Sequence, residues 1–239
     1  MTFPLPPSTL LDQASLYLDF DGTLVDFAST PDGVAVGTPL RATLAALARR
    51  LDGRVAVVSG RGLDDLARRL AVDGIALAGS HGLERRDGSG RVYRAAPPDD
   101  LDELIGEAHG FAARHGVLVE IKPYGVALHF RARPDAAAAV DDFARVLAAD
   151  HAMIVQPGSM VRELRPAGAD KGDVVRAFQA EPPFGSGRPV FVGDDLTDEH
   201  GFAAAAALDG AGVLVGAERV SEARYHLPSV AAVMSWLKG

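Results

Sequence analysis

The sequence contains no cysteine, one tryptophan and fewer basic than acidic residues. Without thiols the chain can form neither disulfides nor thiolate metal sites. Lys and Arg number 24 against 32 for Asp and Glu, which gives a formal net charge of −8. Nucleic acids and anionic membranes need a basic footprint that such a surface lacks. We therefore expect neither as a partner, and an anionic substrate must be bound by local cations.

Long apolar segments are missing as well. No stretch reaches the roughly 20 predominantly apolar residues of a membrane-spanning helix. Residues 1–7, MTFPLPP, lack the basic and apolar regions of a secretory leader. These absences predict a cytoplasmic protein, which we expect to be a monomer. Its 239 residues are enough for one large domain or two unequal ones.

The most informative stretch is an apolar strand that ends in two acidic residues. Leu16-Tyr17-Leu18 predicts a buried strand, and Asp19 and Asp21 follow it ahead of a glycine. Strand alternation predicts that both carboxylates point the same way while Phe20 points into the core. An ordinary turn explains a single Asp-x-Asp equally well. Two like charges this close need a cation, a shared proton or water. The rest of the chain must therefore decide between an ordinary turn and a functional pair of carboxylates.

Strands and helices alternate in the first and last thirds of the chain. Continuous apolar strands are predicted at 54–58, 74–78, 189–192 and 211–215, with helices at 38–51, 63–70, 171–178, 202–208 and 228–237. A loop rich in Gly, Pro and Asp is predicted between the first strand and residue 37. Uninterrupted apolar strands alternating with helices are typical of a parallel sheet covered on both faces. The sequence therefore predicts an α/β fold.

The pattern changes between residues 82 and 166. Alternating strands are predicted at 117–122 and 125–131, with a strand pair around 156–159 and a hairpin that includes 91–94. Helices are predicted from 99 to 116 and from 134 to 149. Alternation indicates an antiparallel sheet with one wet face. We expect an inserted α+β domain over 83–165 and a core domain formed by 1–82 and 166–239.

Polar residues follow several predicted strands of the core at the point where each strand ends. Asp19 and Asp21 follow the first strand, Ser59 follows the second, and Asp194 and Asp195 follow a later one. Open α/β sheets bind their ligands at the carboxyl ends of parallel strands. We therefore expect these five side chains to lie around one site.

The chemistry of these residues favours a metal ion and a phosphate group. Asp19, Asp21 and Asp194 offer only hard oxygen ligands, which suit magnesium. Lys171 opens a predicted helix, where its ammonium and the free amides of the first turn both favour an anion. The sequence thus predicts a magnesium site with phosphate-binding groups and a carboxylate placed to attack phosphorus.

These motifs, in this order, resemble the four motifs of the haloacid dehalogenase superfamily of phosphohydrolases. The matching segments are Asp19–Leu24, Ser59–Arg61, Lys171, and Gly193-Asp194-Asp195 with Asp198. The resemblance implies a Rossmann-like core with a parallel sheet. The insert lies between the second and third motifs, which is similar to the second type of cap, C2, in this superfamily.

Other segments resemble the trehalose-6-phosphate phosphatases. They are Gly79–Glu84, Glu120–Lys122, His129–Arg131, Pro157-Gly158, Glu163–Pro166 and Gly193–Glu199. The resemblance implies a Mg²⁺-dependent enzyme that hydrolyses trehalose 6-phosphate to trehalose and phosphate. Its expected partner is accordingly a small phospho-sugar.

The resemblance also implies roles for the acidic residues. Asp19 would attack phosphorus and form an aspartyl-phosphate, while Asp21 would protonate the departing sugar oxygen and then activate water. Magnesium would be bound by the carboxylates of Asp19 and Asp194 and by the backbone carbonyl of Asp21. Asp195 and Asp198 would orient the lysine or a metal-bound water.

The remaining predicted residues are expected to bind substrate. They are Ser59, Gly60, Arg61, His81, Glu84 and Lys171, of which Ser59 and Lys171 would hold phosphate oxygens, and a second group that would grip the sugar, Glu120, Lys122, His129 and Glu163. A solvated sheet face explains the second group without any substrate, and His81 also fits a structural role. Two other functions remain open: a phosphatase or phosphomutase for another phospho-sugar, and a non-catalytic sugar-phosphate-binding domain. Intact acidic motifs argue against the non-catalytic domain.

Overall fold

The chain forms two compact units in a computed structural model that describes residues 3–27 and 33–239. The larger unit comprises the residues up to Arg94 together with Ala169–Gly239, and the smaller one comprises Ala95–Gly168. The α-helices found in the described residues are α1 Thr38–Arg50, α2 Leu63–Leu70, α3 Leu101–His115, α4 Ala137–Asp150, α5 Lys171–Gln179, α6 Asp198–Ala207 and α7 Val230–Lys238. The strands found there are β1 Ala14–Asp19, β2 Val55–Val58, β3 Ala76–Gly79, β4 Glu84–Arg86, β5 Val92–Arg94, β6 Leu118–Lys122, β7 Gly125–His129, β8 Met153–Gly158, β9 Val161–Pro166, β10 Arg188–Gly193, β11 Ala211–Val215 and β12 Tyr225–Leu227.

The larger unit is built on an eight-stranded sheet with the order β12-β11-β10-β1-β2-β3-β4-β5. The strands from β12 to β3 are parallel. Helices α1, α2 and α7 contribute to the apolar core on one side of the sheet, and α5 and α6 to the core on the other. Every residue of β1, β2 and β11 is buried. This three-layer arrangement confirms the predicted α/β class.

The smaller unit is an α+β structure with its own core. Its antiparallel sheet has the order β6-β7-β9-β8. Leu104 and Phe111 of α3 and Leu147 of α4 pack with Val126 and Leu128 of β7. The predicted combination of an antiparallel sheet with two helices is confirmed. Nowhere in residues 3–27 and 33–239 is a helix both long and apolar enough to cross a membrane.

The hairpin β4–β5 belongs to the larger sheet, although the sequence assigns it to the insert. Strand β4 pairs antiparallel with β3, from Leu77 opposite Arg86 to Gly79 opposite Glu84. The edge of the large sheet thus takes up residues 84–94, and the compact smaller unit starts at Ala95. Turn signals predicted the hairpin itself, but they carry no information about which sheet edge receives it.

Two further differences concern individual elements, and part of one predicted loop cannot be compared. Helix α6 begins at Asp198 rather than near Phe202, which places an acidic residue in its first turn. The short strand β12 has no counterpart in the prediction, because three residues give too little pattern. Residues 28–32 of the predicted loop lie outside the described residues.

His151 joins the two helices of the smaller unit through its side chain. Its Nδ1 lies 2.7 Å from the carboxylate of Asp100 and its Nε2 lies 3.2 Å from that of Glu107. Burial lowers the pKa of the imidazole, but the two carboxylates outweigh burial and the pKa is raised above its ordinary value. A raised pKa in the folded state stabilises the fold most below the ordinary histidine pKa of about 6.5.

We expect His151→Gln to lower the melting temperature by a few degrees at pH 6, since it removes the charged hydrogen bonds to Asp100 and Glu107. The loss should shrink at pH 9, because the wild-type imidazole has then lost the proton that strengthens both bonds. Thermal denaturation at the two pH values measures the difference. His109→Gln, at an exposed position on α3, is the control. The same loss at both pH values would contradict the assigned protonation.

Candidate active site

The candidate site lies where three neighbouring parallel strands of the larger sheet end. β1 lies between β10 and β2 in the sheet, and all three run in the same direction. Asp19 is the last residue of β1, Ser59 follows β2, and Asp194 follows β10. Asp19 and Ser59 are both buried. The sheet topology therefore places these predicted residues at one edge.

Lys171 forms the centre of the charged cluster at this edge. Asp170 caps helix α5 in a reciprocal capping box with Asp173, which makes Lys171 the first helical residue. The ammonium Nζ donates to Oδ1 of Asp19 and to Oδ1 of Asp198, each at 2.6 Å. Burial lowers the pKa of Lys171, but the two carboxylates outweigh burial and raise it above the ordinary value. The lysine is therefore a fixed, buried positive charge.

Three carboxylates converge around this lysine. Asp19, Asp194 and Asp198 each offer an oxygen, and these oxygens lie within 4.8 Å of one another. Burial raises the pKa of Asp19. Lys171 lowers this pKa, whereas the charges of Asp198 and Asp194 raise it further, and the net shift is upward. Burial, followed by the charge of Asp198, raises the pKa of Asp194 to about 6. One lysine leaves this group with excess negative charge, so an additional cation would be bound favourably.

The donor set fits a divalent metal ion. Its ligands are oxygens only, and hard divalent cations prefer oxygen. Asp194 is held for such a role by the hydroxyl of Thr23, which donates to its Oδ1 at 3.0 Å. Gly22 leaves room for the same carboxylate, since a Cβ at this position would lie 2.3 Å from Asp194 Oδ2. Gly22 also has a φ of +88°, a conformation that glycine adopts without strain.

Asp198, rather than Asp195, makes the contact with the lysine. It is fully buried at the start of α6, and its second oxygen accepts a hydrogen bond from the amide of Asp195 at 2.8 Å. Asp195 has an exposed side chain and contributes this amide. Of the two residues predicted to orient Lys171, Asp198 therefore has the matching geometry.

Asp21 is held by Arg61 in a bidentate ion pair. The guanidinium Nε lies 2.7 Å from Oδ2 of Asp21, and Nη2 lies 2.8 Å from Oδ1. Strand β1 ends at Asp19, so the predicted strand alternation does not extend to Asp21. Phe20 is buried in the core as predicted. The two carboxylates of the motif thus have different cations as partners, one a lysine and the other an arginine.

The loop that carries Ser59 and Arg61 is fixed by the turn after β3. The amide of His81 donates to the carbonyl of Ser59 at 3.0 Å, and the amide of Ser80 donates to the carbonyl of Arg61 at 2.7 Å. The buried imidazole of His81 packs on Gly60, where a Cβ would lie 2.6 Å from its Nε2. This contact supports a structural role for His81, and its substrate contact stays a prediction.

Glu84 has a buried carboxylate engaged in internal contacts. One oxygen accepts from the amide of Leu63 at 2.8 Å and from the hydroxyl of Ser80 at 3.0 Å. The other lies 3.1 Å from Nε of Arg94. These bonds hold the turn and the start of α2, and the substrate contact expected of Glu84 stays a prediction.

The smaller unit gathers four predicted sugar-binding residues on one face of its sheet. Strand register pairs Glu120 with Ala127 and Ala127 with Glu163, which places both glutamates on the same face. Lys122 lies two positions after Glu120, and His129 lies two positions after Ala127, so their side chains are on this face as well. We call Glu120, Lys122, His129 and Glu163 the polar row.

Glu120 is the centre of contacts within the polar row. Its carboxylate lies 3.1 Å from the ammonium of Lys122 and 2.8 Å from Nε2 of His129. Burial raises the pKa of Glu120, but His129 and Lys122 outweigh burial and hold the pKa below its ordinary value. The row thus offers an ionised acceptor beside two donors, which suits hydroxyl groups.

The sequence interpretation missed the support of Arg61. Asp65 on α2 accepts from Arg61 at 3.3 Å and from Arg69 at 2.7 Å. Arg69 also donates to the carbonyl of Val34 at 2.9 Å. A signal was available for one of these contacts, because Asp65 and Arg69 are four residues apart on α2, the spacing of neighbours on a helix.

Solved structures share this fold over almost the whole chain. A haloacid dehalogenase-like hydrolase from Bacteroides thetaiotaomicron gives a TM-score of 0.67 at 17% identity, over 95% of this chain and 98% of that one. The C-terminal domain of Candida albicans trehalose-6-phosphate phosphatase gives a TM-score of 0.84 at 21% identity, over 99% of this chain and 97% of that one. This parallel sheet with an inserted α+β unit places the chain in the same fold class as these structures.

Sequence comparisons narrow the class to one family. The family model described as trehalose-phosphatase matches residues 17–230. A probable trehalose-phosphate phosphatase of Sinorhizobium fredii is 42% identical over 230 residues, 95% of this chain and 87% of the relative. The trehalose-6-phosphate phosphatase of Escherichia coli is 36% identical over 242 residues, which cover 100% of this chain and 91% of the relative. The chain belongs to the trehalose-phosphatase family, and it is a phosphoric monoester hydrolase of trehalose biosynthesis.

Proposed function

We propose that this enzyme hydrolyses trehalose 6-phosphate with Mg²⁺ and that Asp19 is the nucleophile. The observation that carries the proposal is the buried pair between Asp19 and Lys171, beside Asp194 at the ends of β1 and β10. A carboxylate held in this way has its charge aimed at the site and cannot rotate freely. Lys171 adds a fixed positive charge for a phosphate oxygen.

In the first half-reaction an oxygen of Asp19 forms a bond to phosphorus while the ester bond to the sugar oxygen breaks. Asp21 delivers a proton to that oxygen, because an alkoxide is a poor leaving group. In the second half-reaction water attacks phosphorus, Asp21 takes back a proton from the water, and the bond between phosphorus and Asp19 breaks. Both carboxyl groups end as they began, and trehalose and phosphate are released.

Magnesium, held by Asp19, Asp194 and the backbone carbonyl of Asp21, would supply positive charge against the transferring phosphoryl group. Ser59 and Lys171 bind other phosphate oxygens in this proposal, and Asp198 keeps the lysine ammonium in place. Arg61 has a bidentate grip on Asp21. Because this ion pair occupies both oxygens of Asp21 and favours the ionised carboxylate, Asp21 must leave Arg61 and take up a proton before it acts as the acid.

Exhaustive chelation should lower the turnover number by about 1,000-fold or more, since the metal supplies several kcal/mol of transition-state stabilisation. Adding Mg²⁺ back should restore activity. Zn²⁺ should restore little, because the acidic cluster offers oxygen ligands and contains no histidine or cysteine. Phosphate release after dialysis against a chelator is the measurement. Full turnover of the metal-free protein would refute the proposed site.

We propose that the polar row of the smaller unit binds the sugar part of the substrate. A disaccharide is neutral and rich in hydroxyl groups, so it needs directed donors and acceptors. Glu120 offers an ionised acceptor, and Lys122 and His129 offer donors within 3.1 Å of it. Glu163 lies in register on the same face.

We expect Glu120→Gln, Lys122→Ala or Glu163→Gln to lower kcat/KM for trehalose 6-phosphate about ten- to a hundredfold, since a hydrogen bond to a charged group is worth about 1.5–3 kcal/mol. Nitrophenyl phosphate has no sugar, and its hydrolysis should change much less. Glu103→Gln, at an exposed position on α3, is the matched control. Equal losses on both esters would mean that the row supports the fold and not the sugar.

A screen of phosphorylated sugars for released phosphate tests the substrate directly. We expect trehalose 6-phosphate to have the highest kcat/KM, and a clear preference for sucrose, glucose or mannosyl phosphates would contradict the proposal. A phosphomutase would instead return a phosphorylated product. The monomeric state and cytoplasmic location stay predictions.

A further inference from the structure

A segment between β11 and β12 reaches the backbone beside Asp194. Arg219 lies in this segment, and its Nη2 donates to the carbonyl of Asp195 at 2.8 Å and to that of Asp194 at 3.4 Å. No motif singled out in the sequence includes Arg219. Its contacts reach the two consecutive carbonyls that follow the end of β10.

Arg219 is itself held by the first turn of α6. Its Nη1 forms an ion pair with Glu199. The other oxygen of Glu199 accepts from the hydroxyl of Ser221 at 3.1 Å and from the amide of Glu222 at 2.7 Å. Both charged side chains are largely covered, with exposed fractions of 25% and 20%. We call Arg219, Glu199 and Ser221 the arginine clasp.

The arginine clasp adds a second set of hydrogen bonds to the short loop after β10, which contains Asp194 and Asp195. The amide of Asp195 is bound to Asp198 at 2.8 Å, so the loop is held there from its N–H side. Arg219 holds the carbonyls of Asp194 and Asp195 from the opposite side. The backbone that carries the Asp194 carboxylate therefore has hydrogen bonds in both directions.

We propose that Arg219, supported by Glu199, is a positioning residue that sets the affinity of the site for Mg²⁺ by fixing Asp194. The proposal rests on the metal role that the proposed function gives to Asp194. Magnesium demands near-ideal octahedral geometry, so a ligand that moves by a fraction of an ångström binds it less well. Residues that hold metal ligands typically change metal affinity by about 10–100-fold when replaced.

The predicted effect is on metal binding more than on the chemical step. Arg219→Met should weaken Mg²⁺ binding by about tenfold or more, because the two carbonyls lose their donor and Glu199 loses its partner. Arg219→Lys should lie between this variant and the wild type, since an ammonium can serve one carbonyl but cannot replace a planar fork. At saturating Mg²⁺ the turnover number of Arg219→Met should recover to within a few-fold of wild type.

Calorimetric titration of Mg²⁺ into metal-free protein tests this without any turnover. The series comprises wild type, Arg219→Met, Arg219→Lys and Glu199→Gln, with Arg224→Met as control. Arg224 is an exposed arginine on the same segment that stacks on Tyr225. Turnover of each variant is then measured as a function of Mg²⁺ concentration.

Weaker binding in Arg219→Met and Glu199→Gln, with Arg224→Met unchanged, supports the proposal. Mg²⁺ affinity within about twofold of wild type in Arg219→Met would overturn it. A lower turnover number at saturating Mg²⁺ with unchanged Mg²⁺ affinity would overturn it as well. If Arg219→Met does not fold, Glu199→Gln decides by the same criterion. Failure of the wild type to bind Mg²⁺ would instead count against the proposed function, so the two failures are distinguishable.

Discussion

Asp19→Asn is expected to lower turnover of trehalose 6-phosphate by about 10,000-fold or more, because an amide oxygen is a far weaker nucleophile than a carboxylate. The substitution keeps the shape of a side chain that is buried at the end of β1. It also keeps an oxygen within reach of the Lys171 ammonium. Steady-state release of phosphate measures the loss.

The control for this variant is Asp12→Asn, just before β1, where the side chain is exposed and pairs with Arg50. It should retain wild-type activity. Trapping a phosphate mimic such as a beryllium or aluminium fluoride on Asp19 would locate the nucleophile directly. Near-normal turnover by Asp19→Asn would refute the aspartyl-phosphate mechanism, provided that mass spectrometry confirms the substitution.

Asp21→Asn is expected to depend strongly on the leaving group. For trehalose 6-phosphate the loss should be about 100- to 10,000-fold, the range for removal of a general acid. Nitrophenyl phosphate releases a stable phenolate that needs no proton, so its covalent step should slow much less. Kinetics with both esters, including the initial burst of nitrophenol, separate the two half-reactions.

Asparagine also loses the charge that pairs with Arg61 at 2.7 and 2.8 Å. An equally large loss on both esters would therefore mean that Asp21 acts by holding the Arg61 loop rather than by moving a proton. The matched control is Asp26→Asn, at an exposed position shortly after the motif in the chain, and it should behave as wild type.

Much of this site follows from sequence because strand ends obey a simple rule. An apolar run such as Leu16-Tyr17-Leu18 predicts a buried strand, and parallel strands bring their carboxyl ends to one edge. This rule alone brings Asp19, Ser59 and Asp194 together. Lys171 joins them because the capping pair around it predicts where its helix begins.

The parts that sequence did not predict depend on contacts between distant segments. Nothing near Asp21 indicates that Arg61, 40 positions away, takes its carboxylate. Glu84 lies in a motif that suggests substrate, yet its bonds to Leu63 and Ser80 are fixed only when β3 and α2 pack together. The edge that receives β4 is likewise set by the open edge of β3, whose other edge pairs with β2, and not by the hairpin's own residues.

The separation of Asp19 and Lys171 along the chain, 152 residues, has a consequence for folding. Contacts between such distant residues form slowly, because a long loop must close before they add stability. Within residues 3–27 and 33–239 the strands of the smaller unit, β6 to β9, pair only with one another, and β10 is synthesised after all of them. During translation the smaller unit can complete its sheet while β1 still awaits its partner β10. Recovery of phosphatase activity on refolding should therefore lag behind recovery of helical signal.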